Sequence, residues 1–158
     1  MANPTETTPA PRFNHVAMSV PGELLQQEGR DSLLRFYADV FGWSEMPTLS
    51  EEGRRLVLRA HSNEQFVFLV ADAHPMRCPE GDHFGLSVST PKELDTILDR
   101  ALAYRERDDR VEVLERQTED YGFLKLHSFY VRYRLPLMIE VQCYEWSQGV
   151  GPGSLPED

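Results

Sequence analysis

The chain has 158 residues, with 16 Lys and Arg against 26 Asp and Glu, a formal net charge of −10. That length suits one domain or two small modules sharing a core, and the acidity excludes a general nucleic-acid binder, which needs excess Lys and Arg on one face. Two cysteines, Cys78 and Cys143, make no disulfide framework, and the longest apolar run, Phe66 to Ala71, is far too short to cross a bilayer. Met1-Ala2-Asn3-Pro4-Thr5-Glu6 lacks the basic start and apolar stretch of a secretory leader. A cytoplasmic protein with neither membrane nor nucleic-acid partner is the expectation.

Residues 1–11 are rich in Pro, Thr and Ala, and residues 147–158 in Gly, Pro and Ser. Neither end can bury enough apolar surface to offset chain entropy, so both are expected to be disordered tails. Between them two segments repeat a pattern: His15-Val16-Ala17-Met18-Ser19-Val20 and His83-Phe84-Gly85-Leu86-Ser87-Val88. Each reads His, apolar, small, apolar, Ser, Val, the period-two alternation of a half-buried strand. One face carries His, a small residue and Ser, and the other carries residues suited to packing against a helix.

Each copy is followed by a helix. After the first, Asp31 reads as a cap, Leu33, Leu34, Phe36, Tyr37, Val40 and Phe41 recur at helical spacing, and Gly42 ends the run. After the second, Thr90-Pro91-Lys92-Glu93 supplies an N-cap, a Pro at the first helical position and acid in the first turn. Leu94, Ile97, Leu98, Ala101 and Leu102 then form the buried stripe. Strand-like segments follow at 54–60 and 65–71 in the first half, with a short one near Trp43 to Met46, and at 111–117, 123–132 and 137–144 in the second. The predicted fold is α+β: two βαβββ modules, residues 12–78 and 79–146, with curved sheets around a cavity and helices outside. Small and polar residues on the His-bearing face leave room for that cavity.

Glu140 stands in an apolar strand, Leu137 to Tyr144, where an ionised carboxylate is costly unless paired or bound to a metal. Taken singly, a strand His is more often packed or solvent-facing than a ligand. His15 and His83 at equivalent points of a repeat, with Glu140, make a set of two imidazoles and one carboxylate. Such a set suits a divalent transition metal with open positions, Fe(II) above all, with Mn, Ni, Co or Zn as other occupants. His61 and His74 fall in loops, and Cys143 reads as packing. No P-loop, dinucleotide fingerprint or serine nucleophile elbow occurs.

Four stretches resemble the vicinal oxygen chelate superfamily, which includes glyoxalase I, methylmalonyl-CoA epimerase, extradiol dioxygenases and bleomycin-resistance proteins. They are Phe13 to Val20, Phe36 to Trp43, Asp82 to Val88, and Phe129 to Arg132 with Ile139-Glu140-Val141. The resemblance implies paired βαβββ modules around a metal site whose ligands lie on the first and last strands of each module. His15, His83 and Glu140 then become three ligands, and the remaining slot falls near Leu69, which cannot bind metal; Glu64 and Gln65 lie close by. Glyoxalase and epimerase relatives fill that slot, whereas extradiol enzymes use three ligands, so the resemblance tilts toward a ring-cleaving dioxygenase acting on a small, possibly aromatic molecule with adjacent oxygens. A glyoxalase- or epimerase-like isomerase or lyase, or a metal-free drug-binding protein, is the alternative. The resemblance also implies a homodimer.

The extradiol pattern beside its carboxylate ligand is matched by Tyr130, Pro136 and Glu140, while Tyr133 and Arg134 replace its usual Asp-Pro. A three-residue turn at 134–136 sets Tyr130 opposite Glu140, where the phenol meets a substrate oxygen; a four-residue turn puts Phe129 there. His127 is a candidate acid–base group, although its odd offset from Tyr130 turns it to the opposite face of a regular strand.

Overall fold

Alternation in the two repeated hexapeptides has the consequence expected of it. In the computed structural model, which describes residues 10–153, His15–Val20 forms strand β1 and His83–Val88 forms β5. Met18 and Val20 are fully buried, while His15, Ala17, His83, Gly85 and Ser87 are exposed on the other face. The terminal residues for which disorder is expected lie partly outside the described range, at 1–9 and 154–158.

Helix α1 spans Gln27–Phe41 and begins four residues before the expected cap at Asp31. Its first turn lies directly on a short 3-10 turn, Gly22–Leu25, whose Leu24 and Leu25 are buried. Gly29 permits that approach, because a Cβ there would stand 2.5 Å from the Glu23 carbonyl oxygen. Gly42 ends the helix in the left-handed conformation, φ 70°, and Trp43 N–H closes back on the Tyr37 carbonyl at 3.0 Å. Helix α2, Pro91–Arg105, starts as its sequence requires: Thr90 Oγ1 accepts from Glu93 N–H and the Glu93 carboxylate accepts from Thr90 N–H, each at 3.2 Å.

The remaining strands are β2 (Ser44–Glu45), β3 (Arg55–Arg59), β4 (Phe66–Ala71), β6 (Val111–Asp120), β7 (Leu124–Tyr133) and β8 (Met138–Trp146). They form two four-stranded sheets of identical topology, β1-β4-β3-β2 and β5-β8-β7-β6. In each, the first strand runs parallel to the last and the rest are antiparallel, so βαβββ is written twice as predicted. β6 outruns its expected extent and carries a bulge between Leu114 and Gln117.

Helices and inner sheet faces share one continuous core, including Met18, Leu33, Phe36, Leu69, Phe129 and Val141. Phe36 of α1 stacks on Tyr133 of β7 with centroids 4.4 Å apart and meets Tyr104 of α2 edge-on at 5.0 Å. Tyr37 donates to the Tyr133 carbonyl at 3.0 Å. α1 is therefore packed against both modules, and truncating Phe36 to Ala is expected to cost about 3–5 kcal/mol. The β7–β8 hairpin is docked on α1 as well: Arg134, at φ 57°, donates to Ser32 Oγ at 2.6 Å.

Candidate metal centre and substrate face

β5 and β8 run parallel with His83 beside Met138 and Gly85 beside Glu140. β7 and β8 run antiparallel with Tyr130 opposite Glu140, the register that the three-residue turn requires. Because cross-strand partners share a face, these pairings gather His83, Glu140 and Tyr130. The Glu140 side chain is only 10% exposed, and its carboxylate is met on both sides. Tyr130 donates to Oε1 at 2.8 Å, and His83 Nε2 lies 3.3 Å from Oε2. Tyr130 and His83 also touch edge to face, with centroids 5.2 Å apart. Burial first, and the hydrogen bond to Glu140 second, push the Tyr130 phenol up to about 12, so it stays a proton donor.

The proton inventory of this cluster bears on a metal. His83 Nδ1 lies 2.8 Å from the Gly81 carbonyl, which can only accept, so Nδ1 carries the proton. Nε2 then faces Oε2 of the Glu140 carboxylate at 3.3 Å. Two acceptors so close repel unless a second proton on His83 or a cation stands between them. An imidazole tied at Nδ1 to an oxygen, with Nε2 facing a carboxylate, is the usual preparation of a histidine metal ligand. His83 and Glu140 fit a divalent cation on these grounds.

His15 shares only the first half of that preparation, and at a different place. Its Nδ1 donates to Asn14 Oδ1 at 2.8 Å, its ring stacks on Phe66 at 5.0 Å, and it is exposed. It does not join His83 and Glu140: among the described residues, no three His, Cys, Asp or Glu side chains gather closely enough to hold a metal. Within one chain the expected ligands are divided two and one.

Register also corrects the expected fourth slot. β1 pairs with β4 so that His15 lies beside Phe66 and Ala17 beside Phe68. The counterpart of Glu140 is therefore Phe68, one residue from the expected Leu69, which is buried in the core. Phe68 offers no ligand either.

His127 is a second correction. It pairs with Cys143 on the face turned away from Glu140, where it is 8% exposed. Its Nδ1 is 2.9 Å from Thr118 Oγ1 and its Nε2 3.2 Å from Glu145 Oε2. The odd offset from Tyr130 decides this, because no bulge interrupts β7 against β8 there. His74 uses only its backbone, donating to Asp72 at 2.7 Å.

The expected cavity is displaced. A space of about 500 Å³ lies between the β1 and β5 ends of the modules, with His15, His61, Trp43, Phe66, Phe84 and Leu86 in its wall, and without His83, Glu140 or Tyr130. Sequence reasoning missed Asn14 and Gly81, the two groups that fix the histidine tautomers. Asn14 is signalled only by adjacency to His15, and a backbone carbonyl leaves no residue-type signal.

Two βαβββ modules arranged in this way are also the fold of solved structures described as glyoxalase, glyoxalase/bleomycin resistance protein and glyoxalase/bleomycin resistance protein/dioxygenase. Lactoylglutathione lyase from Agrobacterium tumefaciens superposes with a TM-score of 0.60 at 20% identity, over 86% of this chain and 96% of its own. A glyoxalase/bleomycin resistance protein/dioxygenase from Nocardioides gives 0.57 at 17%, over 96% and 93%. Fosfomycin resistance protein FosX from Mesorhizobium loti gives 0.55 at 12%, over 84% and 91%. At these identities the likeness establishes the fold. No family model and no curated protein matches the sequence. Among the described residues no helix is long and apolar enough to cross a membrane.

Proposed function

We propose that the protein is a metal-dependent enzyme acting on a small molecule with adjacent oxygens, in the manner of a small extradiol-type ring-cleaving dioxygenase. The observation that carries the reading is the approach of His83 Nε2 to Glu140 Oε2, 3.3 Å, with His83 Nδ1 already at the Gly81 carbonyl, so that a second proton on the imidazole or a cation joins the two. His15, His83 and Glu140 would hold the metal, Fe(II) by the character of the set, with Mn, Ni, Co or Zn accepted by the same donors. When bound, such a metal polarises chelating substrate oxygens and, as iron, joins them electronically to dioxygen.

The surrounding residues support a chelating substrate. Phe68 in place of a fourth ligand leaves positions free for two substrate oxygens. Gly85 lies beside Glu140, and a Cβ there would meet only Gln142 Oε1, at 3.6 Å, so the ground next to the carboxylate is clear. Tyr130 keeps its proton and so lends hydrogen-bond donation to the site rather than negative charge.

The site is proposed to be completed in a homodimer. Of the four edge strands, β2 is two residues long, and β6 is bulged and lined with Glu112, Glu115, Arg116, Glu119 and Asp120. Both features guard an edge against pairing. β1 and β5 have no such protection and border the half-open apolar space between the modules. A second copy that sets its β1 beside β5 of the first covers both bare edges. It also carries His15 toward the partner's half-site, giving two equivalent sites by twofold symmetry.

The position of His127 favours a second reading. With His127 on the other face, the acid–base histidine of the extradiol pattern is not beside Glu140, which leaves a glyoxalase- or epimerase-like isomerase or lyase, its carboxylate serving as base, as the alternative. Metal analysis by mass spectrometry on anaerobically purified protein, wild type beside Glu140→Ala, is the test. About one iron or manganese per chain, absent from the variant, supports the dioxygenase, and nickel, cobalt or zinc the isomerase. No metal after anaerobic Fe(II) reconstitution overturns both and leaves a binding protein.

A further inference from the structure

We infer that Tyr130 is a positioning residue: its phenol holds Oε1 of Glu140 so that Oε2 alone is offered beside His83 Nε2. The inference rests on the metal reading above and extends it to the manner in which the carboxylate binds. A carboxylate has two equivalent oxygens and a broad terminal torsion, so an unrestrained Glu can turn either oxygen, or both, toward a cation. Here that freedom is removed from two directions. Tyr130 stands directly opposite Glu140 across the β7–β8 ladder and donates to Oε1 at 2.8 Å. The same ring abuts His83 edge-on, at an interplanar angle of 84°, so the imidazole and the phenol steady one another. Gly81, through its carbonyl, fixes the other side of His83 at 2.8 Å.

The chemical consequence is a single-oxygen ligand. A cation held through Oε2 and Nε2 would take one carboxylate oxygen instead of two, which would leave room for a substrate oxygen. Tyr130 thus acts through Glu140, not by contact with the reacting atoms. The neighbouring residues on this face cannot replace it: Ser128 and Gln142 pair with each other one step further along the ladder, and Gln142 Oε1 is engaged by the Tyr144 hydroxyl at 2.8 Å.

The experiment uses Co(II) as the probe with full-length wild type, Tyr130→Phe and Glu140→Asp. Affinity is read by competition with a chromophoric chelator and coordination by the visible absorption of the bound ion. Tyr130→Phe removes one hydroxyl and keeps the ring against His83. It is expected to weaken Co(II) binding by about 10–100-fold, as loss of a group that orients a ligand does, and to change the visible spectrum. Glu140→Asp keeps the charge but no longer spans from the phenol to His83; it is expected to weaken binding similarly, and adding Tyr130→Phe to it is expected to cost little more. Metal-free circular dichroism and melting establish that each variant is folded. If Tyr130→Phe binds Co(II) with wild-type affinity and spectrum, or if its cost is unchanged in the Asp background, the positioning role is wrong. If wild type binds no Co(II), it is the metal reading itself that fails.

Discussion

The first and second modules place a histidine at the same point of the same strand and then part company. Beside His15 the parallel neighbour strand presents Phe66 and Phe68; beside His83 it presents Met138 and Glu140. The inner faces differ less: both are apolar, although Met18 and Val20 are fully buried where Leu86 and Val88 border the space between the modules. The comparison teaches where constraint lies in such a repeat. The inner face must remain apolar to serve the shared core, whereas the outer face can exchange a carboxylate for a phenyl ring without cost to the fold. One module accordingly retains two of the three proposed ligands and the other retains one.

The largest expected effect separates the two equivalent positions. Glu140→Ala is expected to lower metal affinity by at least about 100-fold, beyond the loss that an orienting group would cause. Phe68→Ala is expected to leave affinity within a few fold, and metal titration of the two variants side by side checks this. Equal losses would dissolve the distinction between the modules.

Next comes the division of ligands between copies. His15→Ala and Glu140→Ala are each expected to lose activity or metal binding alone. Mixing them under conditions that exchange subunits is expected to restore about a quarter of the wild-type sites, because about half the dimers are mixed and one of their two sites is intact. No recovery, with exchange verified by mass spectrometry, would mean that His15 does not serve a partner's half-site.

Restoring a ligand to the first module is a milder change. Phe68→Glu, in the slot that register assigns, is expected to tighten metal binding by about tenfold and to slow any reaction that needs open coordination positions. Calorimetric titration with Co(II) reads the first effect.

The smallest effect concerns the joint. Asp108 accepts from Arg110 and from the Tyr133 hydroxyl at 2.7 Å, and the Arg110 hydrogen bond above all holds its carboxyl well below the usual carboxylate range. A carboxyl depressed in the folded state binds fewer protons there than when unfolded, so its stabilisation is complete above about pH 4 and fades as pH falls below that. Asp108→Asn is expected to lower the melting temperature by roughly 2–4 °C at neutral pH. The gap should begin to narrow as pH falls below about 4, which melting curves from pH 7 to 3 would follow.

Much of this was legible in the chain. The repeat, the two helices and the eight strands of the described residues follow from alternation and capping residues, all of them local signals. Three matters were not. α1 starts early because of a close approach at Gly29 that no periodicity records. The fourth slot falls at Phe68 and not Leu69 because two apolar strands match equally well one residue apart in sequence, while their pairing is fixed only in the sheet, and one residue turns a side chain to the other face. The separation of His15 from His83 belongs to the docking of the modules, in which α1 meets the second through Phe36, Tyr37 and Ser32, contacts between residues about a hundred positions apart.

By itself, then, the sequence determined the two modules and the chemistry each strand presents, because both depend on neighbours a few residues away. Tertiary structure alone decided which of those groups meet. A meeting depends on strand register and on how two modules dock, and these are set by residues distant in the chain, His15 and Phe66 across the first sheet and Tyr37 and Tyr133, 96 residues apart, between the modules.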